Sequence, residues 1–84
     1  MSRETLARHL AQAEARVALG HKHIGRQKEI IAELDQSGHD AGTARALLVV
    51  FEATQALHIA DRDQIAGEIA PLGQEAGLGF TPQE

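Results

Sequence analysis

The chain has 84 residues, enough for one domain and close to the size at which a single core gives only marginal stability. It contains no cysteine, which excludes disulfides, thiolate metal sites and cysteine nucleophiles and makes a cytoplasmic location the expectation. The formal charge of -4 argues against binding to nucleic acid. The N-terminal residues are too polar for a signal peptide, and no apolar run approaches membrane-spanning length, so no membrane contact is expected.

Apolar side chains in the first half of the chain repeat at alternating steps of four and three residues. This heptad pattern predicts a helix over about 3–37, and Ser2 is placed to act as its N-cap. Its inward positions are Leu6, Leu10, Ala13, Val17, Gly20, Ile24, Gln27, Ile31 and Leu34. A seam of this length predicts that the helix packs along its whole length against another helix.

A tight turn is predicted over 38–40, because Gly38 can end a helix in the left-handed conformation and Asp40 can cap the next one. A second helix is predicted over about 41–70. It should end at Pro71, which has no amide hydrogen to donate. Its expected inward positions are Ala44, Leu47, Phe51, Thr54, His58, Asp61, Ile65, and Glu68 or Ile69.

These elements predict an all-α fold, an antiparallel two-helix hairpin over residues 1–72 followed by a flexible tail over 73–84. The segment LLVVF at 47–51 places apolar side chains all round helix 2, whereas one neighbouring helix covers only one side. We therefore expect two hairpins to form a homodimeric four-helix bundle. The expected dimer contacts are Leu48, Val49, Val50 and Phe51. A buried β-strand is the alternative for this segment, but its flanking sequences favour a helix.

A polar row, Thr54, His58 and Asp61, interrupts the predicted inner face of helix 2. The expected register puts Gly20 opposite His58, where the missing side chain leaves room for the imidazole. His58 and Asp61 are then predicted to form a polar core layer that fixes register and partner number. The alternative is a metal site at the centre of the dimer, with zinc as the first candidate ion. No Glu-x-x-His pair, nucleophile or phosphate loop is present, so neither a cofactor nor a catalytic residue is predicted.

The middle of helix 1 is locally basic, because residues 16–28 contain no acid. The candidate binding residues are His21, Lys22, His23 and Arg26, and they predict a surface for a small anion or for another protein with an acidic surface. The alternative is that acids of helix 2 lie alongside and neutralise this segment. Those acids are Glu52, Asp61, Asp63 and Glu68.

Three stretches, HIGRQKEIIAEL, GHD and RALLVVFEATQALHIADRD, resemble the short, uncharacterised two-helix proteins that are frequent in α-proteobacteria. The resemblance covers most of residues 6–65 and implies a helical hairpin, without an activity or a catalytic residue. Two functional hypotheses follow. The chain is either a small non-enzymatic interaction module, acting as a dimeric regulator or adaptor, or a protein that binds a metal ion or small anion at the polar centre of the bundle.

Overall fold

The computed structural model describes residues 2–78, which form two long α-helices packed against each other. Helix α1 is Arg3–Gln36 and helix α2 is Gly42–Leu78. The described residues contain no β-strand, so the all-α prediction and the two-helix hairpin are confirmed and the strand alternative for LLVVF is wrong. The Cα radius of gyration is 19.3 Å, against about 12 Å for a compact chain of this length, so the hairpin is a rod.

Local capping explains where the helices begin and end. The Ser2 hydroxyl accepts a hydrogen bond from the Thr5 amide at 3.1 Å, which satisfies one of the free donors at the start of α1. Gly38 follows α1 with a φ of +74°, the left-handed conformation that glycine adopts without strain. Asp40 then accepts from the Gly42 amide at 2.9 Å through its carboxylate, which caps the start of α2.

The inner face of α1 is the face that the heptad pattern predicts. Its nine inward positions, from Leu6 to Leu34, are all buried or half-buried. Leu6, Ala13 and Gln27 are the most buried of them. The alternation of four-residue and three-residue steps keeps these side chains on the line that faces α2.

The inner face of α2 differs from the prediction at alternate positions from Leu47 to Asp61. Four positions face inward as expected: Ala44, Phe51, His58 and Ile65. The inward residues that alternate with them lie one residue later in the sequence than predicted. The structure turns Leu48, Gln55 and Arg62 inward and leaves Leu47, Thr54 and Asp61 exposed. For the last position the prediction was Glu68 or Ile69, and Ile69 is the one that faces inward. The physical reason is that the predicted set would bury the Asp61 carboxylate, whereas the observed polar residues have long side chains. An inward glutamine can reach a backbone carbonyl, and arginine can extend its charged end to solvent.

Helix α2 continues past Pro71, where the sequence predicted its end, and stops at Leu78. Proline removes one intrahelical hydrogen bond, to the carbonyl of Gly67, at a local cost of about 3 kcal/mol. A helix that is already long needs no new nucleus to extend beyond such a residue. The first half of the predicted tail is therefore helical, and residues 79–84 lie outside the described part of the chain.

A single hairpin buries very little. In the described part of the chain, the buried hydrophobic residues are Leu6, Ala13 and Ala41, and no large side chain is fully buried. Two of these three are alanines, which contribute little apolar area. The shortest dimension of the molecule is 14 Å, about one layer of helices, so each broad face of the hairpin is open. Neither α1 nor the described part of α2 has an apolar stretch suited to crossing a bilayer.

Candidate functional site

Two buried glutamines form the polar contacts inside the seam. The Gln27 side-chain amide of α1 donates to the Ala44 carbonyl of α2 at 2.9 Å. In the opposite sense, the Gln55 amide of α2 donates to the Val17 carbonyl of α1 at 2.8 Å. Only 7% of Gln27 and 8% of Gln55 are exposed. Because a backbone carbonyl has two lone pairs, each can accept from glutamine as well as within its own helix. The pair therefore ties the two helices together in one register.

Gly20 makes the room for Gln55. A Cβ atom added at Gly20 would lie 1.9 Å from Gln55 Oε1 and 2.8 Å from its Cδ atom. The space above the glycine was predicted for the imidazole of His58, and this assignment is wrong, because the Gln55 amide fills it. Gln55 Oε1 is buried there without a hydrogen-bond partner, while the amide nitrogen holds Val17. Gln55 therefore links the two helices through its side-chain nitrogen, while its own side-chain carbonyl oxygen stays without a hydrogen bond.

The predicted polar core layer of His58 and Asp61 does not form. His58 is half-buried on the seam, but Asp61 lies on the surface with 51% of its side chain exposed. Its carboxylate accepts a hydrogen bond from Arg16 at 3.2 Å across the edge of the hairpin. The reason is the phase of α2, which directs Arg62 inward in place of Asp61. A half-exposed ion pair of this kind contributes at most about 1 kcal/mol.

The basic middle of α1 is neutralised in part by its own helix and in part by α2. Arg26 lies 3.2 Å from Glu29 and 3.6 Å from Glu33, one and two turns further along α1. Neutralisation by acids of helix 2 was the predicted alternative, and it is seen at Arg16, which forms an ion pair with Asp61 of α2. His21, Lys22 and His23 are exposed, so a surface for an acidic partner stays a prediction that now rests on these three residues.

A half-open cavity of about 320 Å³ lies between the helices at mid-length. Its apolar walls are Leu19, Val50 and Phe51. The His23 and Phe51 rings pack in a tilted arrangement with centroids 6.3 Å apart. The remaining lining residues are Arg16, Gly20, His23, Thr54, Gln55 and His58, so the cavity wall contains no carboxylate. Gly20 contributes only backbone to the lining, and the Gln55 amide packs on it.

The broad side of the hairpin that carries this cavity is also its most apolar surface. We call it the cavity face and define it by the exposed residues Leu19, Leu47, Val50 and Leu57. Leu19 and Val50 line the cavity directly. Leu47 is seven residues before Thr54, and Leu57 is seven after Val50, so both lie in line with cavity-lining residues. Leu57 projects most, with 71% of its surface exposed.

The other broad side, which we call the opposite face, is charged. It carries a more open depression lined by three charged residues and four apolar ones: Lys28, Asp35, Arg45, Ile31, Ala32, Leu48 and Val49. Arg45 and Asp35 form an ion pair at 2.6 Å across this face. Val49 and Ile59 are its exposed large apolar side chains in the described residues. The two faces therefore differ in chemistry although they are built from the same two helices.

The four predicted dimer contacts do not share a surface. Leu48 and Phe51 are half-buried in the seam between α1 and α2. Val50 belongs to the cavity face, and Val49 belongs to the opposite face. A single flat interface can therefore cover only one of the two valines. Leu19 and Leu57 were not predicted as surface contacts from the sequence. Leu19 is seven residues before Arg26 and Leu57 is seven after Val50, so the heptad spacing places each on the same helix face as a predicted site residue.

No metal centre is formed by one chain within residues 2–78. No group of three histidine, aspartate or glutamate side chains converges there. His58 lines the cavity, whereas the predicted second ligand, Asp61, is held by Arg16 at the edge. The zinc hypothesis therefore has no complete ligand set in a single hairpin.

The comparisons with known proteins give no relative. No protein-family model matches the chain, and neither the curated proteins nor the solved structures include a significant match.

We predict that Gln55→Leu stabilises the hairpin and makes the register between its two helices less specific. The substitution removes the unpaired buried Oε1 atom, so the free energy of unfolding should rise by about 1 kcal/mol despite loss of the bond to Val17. Gln27→Leu is the control, because Gln27 leaves no such atom unpaired, and it should change stability by less than about 0.5 kcal/mol. Chemical denaturation measures both effects. A loss of stability in Gln55→Leu larger than in Gln27→Leu would contradict this account.

Proposed function

We propose that the chain is a small non-enzymatic helical interaction module that acts as a homodimer, in which two hairpins pack through their cavity faces into a four-helix bundle. One observation carries the proposal. Leu19, Leu47, Val50 and Leu57 are exposed together on one face of a hairpin that fully buries no large side chain in its described part.

The energetics favour coverage of this face. Burying a large aliphatic side chain contributes about 1.5–3 kcal/mol relative to leaving it in water. A hairpin whose buried apolar residues are Leu6, Ala13 and Ala41 has little such energy of its own. Pairing through the cavity face buries four more large side chains from each copy, and it turns a single layer of helices into two layers around one core.

The available area is sufficient for a stable dimer. The broad face measures 64 by 27 Å. If roughly half of it is covered on each copy, the total buried area falls in the range of about 1,200–2,000 Å² that stable, specific interfaces use. Leu47 and Leu57 lie ten residues apart on α2, about 15 Å along the axis, so flanking residues of the same face must supply the rest of this area.

The cavity face can also be its own complement, which a two-fold dimer requires. It presents a hollow, the cavity beside Thr54, and a projecting side chain, Leu57, one helical turn further along α2. Rotating a second copy by 180° brings each leucine over the hollow of the other chain. The opposite face also has a depression and a projecting Val49, but charged Lys28, Asp35 and Arg45 line that depression, so covering it with an apolar side chain would remove charged groups from water.

A dimer of this kind leaves another surface free for a different protein. His21 and Lys22 are exposed on α1, away from the cavity lining. They give the dimer two copies of a basic patch that would suit an acidic partner, as expected of a regulator or adaptor.

Sedimentation equilibrium of the full chain at micromolar concentration tests the proposal. The expected mass is twice the 9.0 kDa of one chain. A mass of one chain over the whole micromolar range would overturn the dimer. Purification from the native host then tests the adaptor role, and a dimer that never associates with an acidic protein there would argue against that role.

A further inference from the structure

Beyond dimerisation, we infer that the cavity beside Gly20 binds a small organic carboxylate with an apolar body. The cavity belongs to a single chain and has a volume of about 320 Å³, within the range of about 300–1,000 Å³ that small-molecule sites use. Such sites typically combine apolar walls with a few polar groups that orient the ligand.

The walls suit an aliphatic or aromatic body. Leu19 and Val50 form the apolar sides, and the Phe51 ring, packed against His23, forms one end. Thr54 contributes a short side chain to the trough between these sides, and the Gln55 amide that fills the space above Gly20 also lines it. The apolar part of the ligand would lie along this trough and be removed from water on one side.

The polar groups in the wall favour a negative charge. Arg16, His23 and His58 all line the cavity, and no carboxylate does. All three side chains can donate hydrogen bonds to an anion, and arginine donates in the planar geometry that fits a carboxylate. A bare cation would meet Arg16 instead, which disfavours a metal ion at the same place.

Arg16 keeps donors available for this ligand. Asp61 binds one nitrogen, Nη2, at 3.2 Å, and the guanidinium group has five N–H donors in total. Both side chains of the Arg16–Asp61 pair are about half exposed, so this ion pair is weak. A ligand carboxylate that binds Arg16 would mainly displace water from it. Because Asp61 also fixes the arginine at the edge of the cavity, it positions the group that would receive the anion.

The site does not require the dimer, although the two proposals meet at the same face. One chain supplies all the lining residues. Because the proposed dimer seats a leucine of the second copy at the same hollow, ligand and second copy compete for it, and the mass is therefore measured before the ligand is added. Measuring mass and binding on the same sample therefore separates the two. A monomer that binds carboxylate overturns the dimer alone, and a dimer without binding overturns the site alone.

Titration of the full chain with hexanoate, followed by backbone and histidine NMR signals, tests the site. We expect saturable shifts at His58, Val50 and Gly20. Hexanol has the same apolar body without the charge, and inorganic phosphate has the charge without the body. Both should bind at least about tenfold more weakly than hexanoate. Equal binding of hexanol or phosphate would overturn the assigned ligand class, and absence of saturable shifts with hexanoate would overturn the site.

Matched variants locate the binding. Arg16→Met and His58→Leu should each weaken hexanoate binding about tenfold, because each removes a donor to the anion. Arg26→Met and His39→Leu change the same residue types outside the cavity and should leave the affinity within about twofold. His58→Leu places an apolar side chain at a half-buried position of the seam, so it preserves the fold if Arg16→Met does not. Equal losses in the cavity variants and their controls would overturn the assignment.

Discussion

Val50→Glu is expected to dissociate the dimer, raising its dissociation constant by at least about a hundredfold. The substitution puts a carboxylate on the cavity face of both copies, and burying it at the interface costs about 3–5 kcal/mol, more than the cavity's Arg16, already held by Asp61, returns. The hairpin itself should keep its fold, because 56% of Val50 is exposed in the single chain. Sedimentation equilibrium measures the dissociation constant, and circular dichroism verifies the helix content.

Val49→Glu is the matched control for this experiment. Val49 is the same residue type, adjacent in sequence and similarly exposed at 65%, but it lies on the opposite face beside Lys28 and Arg45. There a glutamate meets basic side chains and solvent, so the dimer should persist. Dissociation by Val49→Glu combined with a stable Val50→Glu dimer would show that the copies pair through the opposite face.

Gly20→Ala and Gly25→Ala are expected to change stability in opposite directions. Both glycines lie inside α1, where alanine is normally favoured by about 1 kcal/mol. Gly25 has nothing within 4 Å of an added Cβ atom, so its substitution should raise the free energy of unfolding by about that amount. At Gly20 the same atom would collide with Gln55 Oε1, at 1.9 Å. Displacing the amide breaks its bond to Val17, and we expect a net loss of about 1–2 kcal/mol.

A double-mutant cycle with Gln55→Ala isolates the cause. Without the glutamine side chain, Gly20→Ala should no longer destabilise the protein, and it should approach the gain seen at Gly25. Chemical denaturation at one fixed chain concentration provides all four values. Additive effects of the two substitutions would mean that the close approach of Gly20 and Gln55 has no energetic role.

The sequence predicts α1 and the hairpin because their signals are local. Ser2, Gly38 and Asp40 act through hydrogen bonds or backbone conformation within a few residues, and the α1 seam has only one apolar stripe. In α2, apolar residues occur all round the segment 47–51, so two heptad phases are equally consistent with its pattern. Whether Leu47 or Leu48 faces inward depends on which polar residues further along α2 find hydrogen-bond partners. That information lies in α1, at the Val17 carbonyl, and not in the periodicity of α2.

The site was predictable in position but not in detail. Gly20 was expected to accommodate a polar side chain from helix 2, and it does so for Gln55 rather than His58, one helical turn away. The cavity depends on the packing of Gln55 on Gly20 together with that of Phe51 against His23. Such a hollow is a property of two helices in contact, and no single stretch of sequence contains it.

Intermolecular NOEs between isotope-labelled and unlabelled chains test the central claim, that a second copy covers the cavity face. The two kinds of chain are mixed while unfolded and then refolded together, which gives mixed dimers, and an isotope-filtered experiment then selects the contacts between copies. The account predicts such NOEs from the methyl groups of Leu19, Val50 and Leu57, and none from Val49 or Ile59. Intermolecular NOEs confined to Val49 and Ile59, or none from any of these methyl groups, would contradict it.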